Sequence, residues 1–113
     1  MHRHFITHRS HVDRTCAETG ATPEDLVTFA RARRITPDDA LRLAAAKLTP
    51  RRIAVLEAAL RTARGDVFSD DAEVAAVAQG VIVHATSTLA PLWTLEAGTV
   101  RAASDAALLR TWN

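Results

Sequence analysis

The chain has 113 residues and a formal net charge of +1, which fits one domain of common size and excludes a second independent core. Hydrophobic residues make up 48% of the sequence and aromatic residues only 4%, while alanine occurs 23 times. A core of such small side chains favours closely packed helices over a β-sandwich. A single cysteine, Cys16, excludes an internal disulfide framework, and the N-terminus lacks the apolar run of a secretory signal. We therefore expect a cytoplasmic protein.

The two halves of the sequence carry opposite charge. Residues 1–64 contain 12 Lys and Arg against seven Asp and Glu, whereas residues 65–113 contain two against six. A basic half indicates a surface that faces a polyanion, and an acidic half indicates a different role. We divide the predicted single domain, 1–113, into a basic His/Arg arm with a first helix (1–20), a helical repeat region (22–64) and an acidic apolar half (66–113).

The first elements are four short helices. Ser10 is a candidate N-cap for the first, and Gly20 is a candidate end. The tetrads at 22–25, 36–39 and 49–52 each begin with Thr-Pro, in which the threonine hydroxyl caps orphan N–H groups and proline occupies the first helical position. The starts lie 14 and 13 residues apart, so each unit holds a helix of roughly ten residues and a short turn. Gly65 is the expected end of the last helix.

The acidic half contains two further periodic segments. Asp70, with Glu73 three residues later, is expected to open a helix whose apolar residues keep helical spacing as far as Leu89. Residues 99–112 form a second helical pattern. The β-branched run around Val81 leaves a short β-hairpin at 81–100 as an alternative, and Pro91 is expected to mark a break or a kink. The fold class is therefore all-α, a compact bundle of about five to six short helices.

Helix, short turn and capped helix in succession are also typical of the helix-turn-helix motif, which the N-terminal half resembles. Helices that begin with two carboxylates are poor phosphate readers, whereas the third Thr-Pro helix begins with Arg51 and Arg52. We expect these two and Lys47 to lie nearest a nucleic-acid backbone. Arg31, Arg33 and Arg34 are expected to form a second phosphate contact, and the N-terminal arm adds Arg3 and Arg9.

Four of the five histidines lie within the first 11 residues. His4, His8 and His11 would share one helix face, the spacing of a transition-metal site, but neighbouring arginines oppose a cation, so no metal or other cofactor is expected. The alternative is a basic arm whose charge rises in mild acid. No nucleophile elbow, phosphate loop or paired-cysteine motif occurs in the chain, and we expect no enzyme.

A stretch of 22 residues from Val74 to Leu95 is free of Asp, Glu, Lys and Arg, which is long enough for a transmembrane helix. Its polar residues and acidic flanks favour a buried core helix, so we expect no membrane partner. Such a stretch is difficult for four short helices to cover, and part of it is expected to contact another chain. The expected interface residues are Val81, Leu89, Leu92, Trp93 and Trp112; a core role for both tryptophans is the alternative.

Two functions follow as hypotheses. The first is a small DNA-binding regulator of phage, plasmid or antitoxin type, with duplex DNA as partner and an oligomerising or partner-binding C-terminal half. The second is a structural or adaptor subunit of a larger assembly, such as a phage head-tail connector, which would place the protein in a virion. The sequence favours the first hypothesis narrowly, because its N-terminal half is basic.

Overall fold

The computed structural model describes the backbone of residues 2–112 and the side chains of residues 11–102. Over this range the protein consists of five α-helices and no strand, which confirms the all-α prediction. The helices, in chain order, are α1 (His2–Thr19), α2 (Pro23–Arg33), α3 (Pro37–Ala45), α4 (Pro50–Asp66) and α5 (Ala72–Trp112).

Threonine caps begin α2 and α3 as predicted. The Thr22 hydroxyl accepts a hydrogen bond from the Asp25 N–H at 3.1 Å, and the Asp25 carboxylate accepts one from the Thr22 N–H at the same distance. This reciprocal capping box satisfies two N–H groups that a helix start leaves without partners. Thr36 caps α3 through the Asp39 N–H, and α4 begins at Pro50, directly after Thr49.

The connections between these helices repeat one arrangement. Gly20, Arg34 and Lys47, each two residues before a Thr-Pro pair, have positive φ angles of 75°, 57° and 68°. After Arg34 and after Lys47, the N–H of the next residue donates back across the turn. The Ile35 N–H donates to the Ala30 carbonyl, and the Leu48 N–H donates to the Leu43 carbonyl. This is the hydrogen bond of a Schellman cap, and Ile35 and Leu48 are both buried beside it.

Several predicted boundaries were wrong. Helix α1 begins at His2, so Ser10 lies inside it, and α4 runs to Asp66, so Gly65 lies within the helix and not at a left-handed cap. Asp71, not Asp70, caps α5, because its carboxylate accepts from the Glu73 and Val74 N–H groups. The α5 cap lies one residue after the predicted position, and α1 and α4 extend past their predicted ends.

Helix α5 replaces the predicted pair of short segments. It continues for 41 residues through the region 81–100, where a β-hairpin was the alternative, and Pro91 lies inside it without ending it. The threonines that suggested a strand bond along the helix instead: the Thr86 hydroxyl donates to the Ile82 carbonyl at 2.7 Å, and that of Thr88 to the His84 carbonyl at 2.8 Å. Such back-bonding satisfies the hydroxyls of β-branched residues within a helix.

The chain divides into two structural units. The first comprises residues 1–50 and 92–113, and its buried residues include Leu26, Leu41, Leu43 and Leu48. The second, residues 51–91, contains most of α4, the turn at 67–71 and the first half of α5; we call it the hairpin unit. Its buried residues are Ile53, Leu60, Ala63, Ala78, Ala85 and Leu89.

Candidate interaction surfaces

The predicted phosphate-binding arginines of the first unit differ in their environments. Arg31 and Arg34 are exposed, but Arg33 is only half-exposed. Its Nη2 donates to Glu96 Oε1 at 3.1 Å, and its guanidinium lies 5.9 Å from the centre of the Phe29 ring. A guanidinium held by a carboxylate and an aromatic ring is less able to reach a phosphate. Arg33 therefore links α2 to α5 within the first unit.

Arg34 and Lys47 have a backbone role that the sequence analysis did not assign. Both are exposed, and both adopt the left-handed conformation at the C-terminal end of a helix. Cationic side chains near a helix C-terminus interact favourably with its dipole. The signal was present in the sequence, since each of these residues stands where Gly20 stands in the first Thr-Pro unit.

Arg51 and Arg52 occupy the first turn of α4 and are exposed. The first turn of α4 contains no acidic residue, whereas α2 and α3 each carry two. A helix N-terminus without carboxylates keeps its positive end unneutralised. These arginines belong to the hairpin unit, while Arg31, Arg33, Arg34 and Lys47 belong to the first unit.

Other sequence candidates fall near the N-terminus. The side chains of Arg3, Arg9, His4 and His8 lie outside the described residues, and His11 is exposed. Within residues 11–102 no group of three histidine, cysteine, aspartate or glutamate side chains is placed to hold a metal ion.

The cysteine of α1 lies in an environment that suppresses its reactivity. Burial raises the pKa of the Cys16 thiol above its ordinary value of 9.0, and the negative charges of Asp13, Glu24 and Asp25 raise this pKa further. A thiol with a raised pKa forms little thiolate near neutral pH and is a weak nucleophile.

The residues expected at a protein interface are placed differently from one another. Leu89 and Leu92 are fully buried inside the chain, so their side chains contribute to the core and are not available to a partner. Val81 and Trp93 are half-buried, and the side chain of Trp112 lies outside the described residues. A long helix buries one stripe of leucines, so the apolar surface left for a partner comes from other positions.

That surface lies in the hairpin unit as an open groove of about 610 Å³. Small residues of α4 form one wall, and the valines of α5 form the other. Val74 and Val77 are 39% and 68% exposed, which is high for valines that line a concavity. The lining residues are Ala58, Ala59, Thr62, Ala63, Asp66, Glu73, Val74, Val77, Ala78 and Val81.

One end of this groove is acidic. Asp66 and Glu73 line it where α4 ends and α5 begins, and Asp70 and Asp71 lie in the connecting turn. The same turn exposes Phe68, whose side chain is 86% accessible to solvent. The sequence analysis identified the apolar spacing of α5 but missed the groove and Phe68, because neither has a signature in local sequence.

Helix α5 remains largely uncovered along its apolar part. The segment Ala72–Ala102 is long and apolar enough to cross a membrane by length and composition, and only 17% of its most apolar stretch is buried. A soluble core helix would be mostly buried over such a length. The apolar surface of α5 is therefore available to another molecule.

Comparison with known proteins adds no relative, since the chain matches no family model, no curated protein and no solved structure.

Proposed function

We propose that the protein is a non-enzymatic interaction subunit, a structural or adaptor component of a larger assembly, which binds neighbours through its hairpin unit. The observation that carries this proposal is the exposure of apolar side chains in more than one direction around α5. Val77 is 68% exposed and Val83 is 66% exposed. At about 100° per residue these two side chains point about 120° apart around the helix axis.

Isolated exposed valines are common on soluble proteins and require no explanation. Val77, however, belongs to a continuous groove wall with Val74 and Val81, and Val83 lies on a different side of the same helix. A single flat partner cannot cover both directions. A subunit with neighbours on two sides buries both, which is the arrangement in a multi-subunit assembly in the cytoplasm or in a virion.

Thiol labelling tests this proposal directly. In a Cys16→Ser background, a cysteine introduced by Val77→Cys or Val83→Cys reports whether each position is covered. We expect both thiols to be protected from a maleimide reagent in extract of the source organism, relative to purified protein at low concentration. Protection at both positions supports neighbours on two sides.

An Ala32→Cys variant in the same background is the matched control, because Ala32 is exposed on α2, outside the hairpin unit. Its reaction rate should be the same under both conditions. If the thiols at 77 and 83 react in extract as fast as that control, the α5 surface is uncovered and the proposal is wrong. Addition of lipid vesicles to purified protein separates a membrane from a protein neighbour, since only a membrane would protect the thiols there.

DNA binding is a second candidate, favoured by the first turn of α4. Arg51 and Arg52 are both exposed on a helix start that has no acidic residue. Arginine pairs with phosphate bidentately, and the positive end of the helix adds to the attraction. Arg33, one of the predicted phosphate contacts, is paired with Glu96 and would have to leave that carboxylate to reach DNA.

A salt titration of duplex binding tests this second candidate. Replacement of Arg51 and Arg52 by alanine should weaken binding and lower the salt slope by about two units, one for each lost phosphate contact. Arg61→Ala with Arg64→Ala is the matched control, because it removes the same charge from other sides of α4. Absence of binding by the unmodified chain at about 50 mM salt rules out this function.

A further inference from the structure

The groove of the hairpin unit belongs to a longer stripe along α4. Arg51, Val55, Ala58, Thr62 and Asp66 follow one another at spacings of four, three, four and four residues, so they lie on one helix face. All five are exposed, with Val55 at 61%. The stripe is apolar or small in its middle, basic at its first residue and acidic at its last.

Helix α5 continues the same face on the other side of the groove. Glu73, Val77 and Val81 line it at four-residue spacing, and Val74 and Ala78 flank them. Glu73 stands at the same end of the groove as Asp66. The face formed by both helices is therefore negative near the turn and positive at the beginning of α4, with exposed valines and alanines in between.

The charge pattern of this face is complementary to that of a second copy whose helices run in the opposite direction. Fifteen residues separate Arg51 from Asp66, which corresponds to about 22 Å along the helix. If a second copy of the same face is laid antiparallel, its Asp66 and Glu73 approach the first copy's Arg51, and the reverse contact forms at the other end. A two-fold axis passes near Ala58, whose small side chain permits close approach of two helices. A parallel arrangement would bring like charges together.

We propose that the occupant of the groove is a second copy of this chain, and that two hairpin units pair antiparallel to form a four-helix bundle. This inference rests on the proposed interaction function and names one of its neighbours. In a two-fold interface each contact occurs twice, so the Arg51 to Asp66 attraction and the valine contacts are both doubled. With the axis near Ala58, the small residues of each α4 pack against those of the opposite α4, and each valine wall packs against the valine wall of the opposite α5.

The size of this face sets the strength of the interaction. Helix α4 has 17 residues and is about 25 Å long, and two adjacent helices are about 20 Å wide. Pairing such faces buries about 1,000 Å² in total, which is near the lower limit of specific interfaces. We therefore expect a reversible dimer that forms at micromolar concentrations and dissociates on dilution.

Sedimentation equilibrium of the full chain tests the pairing, with an expected shift from the 12.2 kDa monomer to twice that mass as concentration rises. Val77→Asp places a charge in the groove and should abolish the dimer. Val100→Asp is the matched control, since it adds the same charge at an exposed position of the same helix outside the hairpin unit, and it should leave the dissociation constant unchanged. Circular dichroism verifies that both variants keep their helical content.

A charge exchange tests the antiparallel arrangement independently of any loss of folding. Arg51→Glu and Asp66→Arg should each weaken dimerisation about tenfold, and the double variant should recover most of that loss because the attraction is restored with reversed signs. Parallel pairing or an unrelated interface predicts no recovery. Either absence of recovery, or a dimer that persists in Val77→Asp, overturns the inference.

The result is distinguishable from failure of the proposed function. If the chain stays monomeric at all concentrations but residues 77 and 83 are protected in extract, the dimer proposal is wrong. The proposed function as an interaction subunit then stands. Full reactivity at both positions under all conditions refutes both. DNA binding through Arg51 would not be recovered by the charge exchange, because the double variant keeps glutamate at position 51.

Discussion

Helices α3 and α4 show how differently the two units use their residues. In α3, four of nine residues are buried, whereas in α4 only three of 17 are buried. Helices α2 and α3 of the first unit are short, begin at threonine caps and are followed by left-handed residues, so their apolar faces meet each other. The hairpin unit contains most of α4 and the first half of α5, and much of their apolar surface is exposed. The difference teaches that an apolar sequence can form a closed core in one region and leave an open, exposed apolar surface in another.

The largest expected difference concerns stability. Leu41→Ala removes a buried side chain from the first unit and should lower the free energy of unfolding by about 3 kcal/mol, because a cavity remains. Val77→Ala in the groove should change it by less than about 0.5 kcal/mol at a protein concentration below that of dimerisation. Urea unfolding of both variants measures this contrast. Equal losses would show that the groove is part of the monomer's core and would remove the distinction between the units.

Loss of a helix cap should have a smaller effect. Thr22→Ala removes the hydroxyl that accepts from the Asp25 N–H, while the backbone N–H of position 22 can still donate to the Asp25 carboxylate, and the substitution should cost about 1 kcal/mol. Thr28→Ala is the matched control, since Thr28 is exposed within the same helix and alanine favours helix. It should be neutral or slightly stabilising. A loss at Thr28 as large as that at Thr22 would mean that the cap contributes nothing specific.

Glycine substitution should change the free energy of unfolding in opposite directions at Arg34 and Arg31. Arg34 has φ 57° and ψ 43°, a conformation that glycine adopts more easily, so Arg34→Gly should stabilise the protein by up to about 1 kcal/mol. Arg31 lies inside α2, and Arg31→Gly should destabilise by about 1 kcal/mol. Thermal unfolding of the two variants determines the signs. Destabilisation by both would show that the Arg34 side chain matters more than its backbone conformation.

The smallest expected effect is on the labelling rate of the Cys16 thiol. Since burial and nearby carboxylates raise the pKa of Cys16, its labelling rate at pH 7 to 8 should be below that of a free cysteine and should increase as the pH rises toward the thiol's pKa. Asp13→Asn removes one negative charge and should lower that pKa and increase the rate. A pH profile of maleimide labelling measures both. A rate equal to that of free cysteine would show that α1 does not shield the thiol.

Local sequence was sufficient for the starts of α2, α3 and α4. The Thr-Pro pairs predicted three helix starts, and the structure confirms all three, because capping hydroxyls and proline act within one turn of their own position. The boundaries at Ser10, Gly65 and Asp70 were wrong, since helix ends depend on which nearby hydrogen bond is stronger. The αL residues could have been found by aligning Arg34 and Lys47 with Gly20.

The rest was decided by tertiary structure. Sequence alone determined that residues 72–102 are apolar and almost free of charge. It did not determine whether they form one helix, two helices or a hairpin, because helix and strand patterns overlap in β-branched runs. Which apolar residues are exposed was also undetermined: Leu89 and Leu92 are buried, whereas Val77 and Val83 are exposed on the same helix. Burial depends on neighbours brought together from distant parts of the chain, so the groove and its opposite charges exist only in the folded protein.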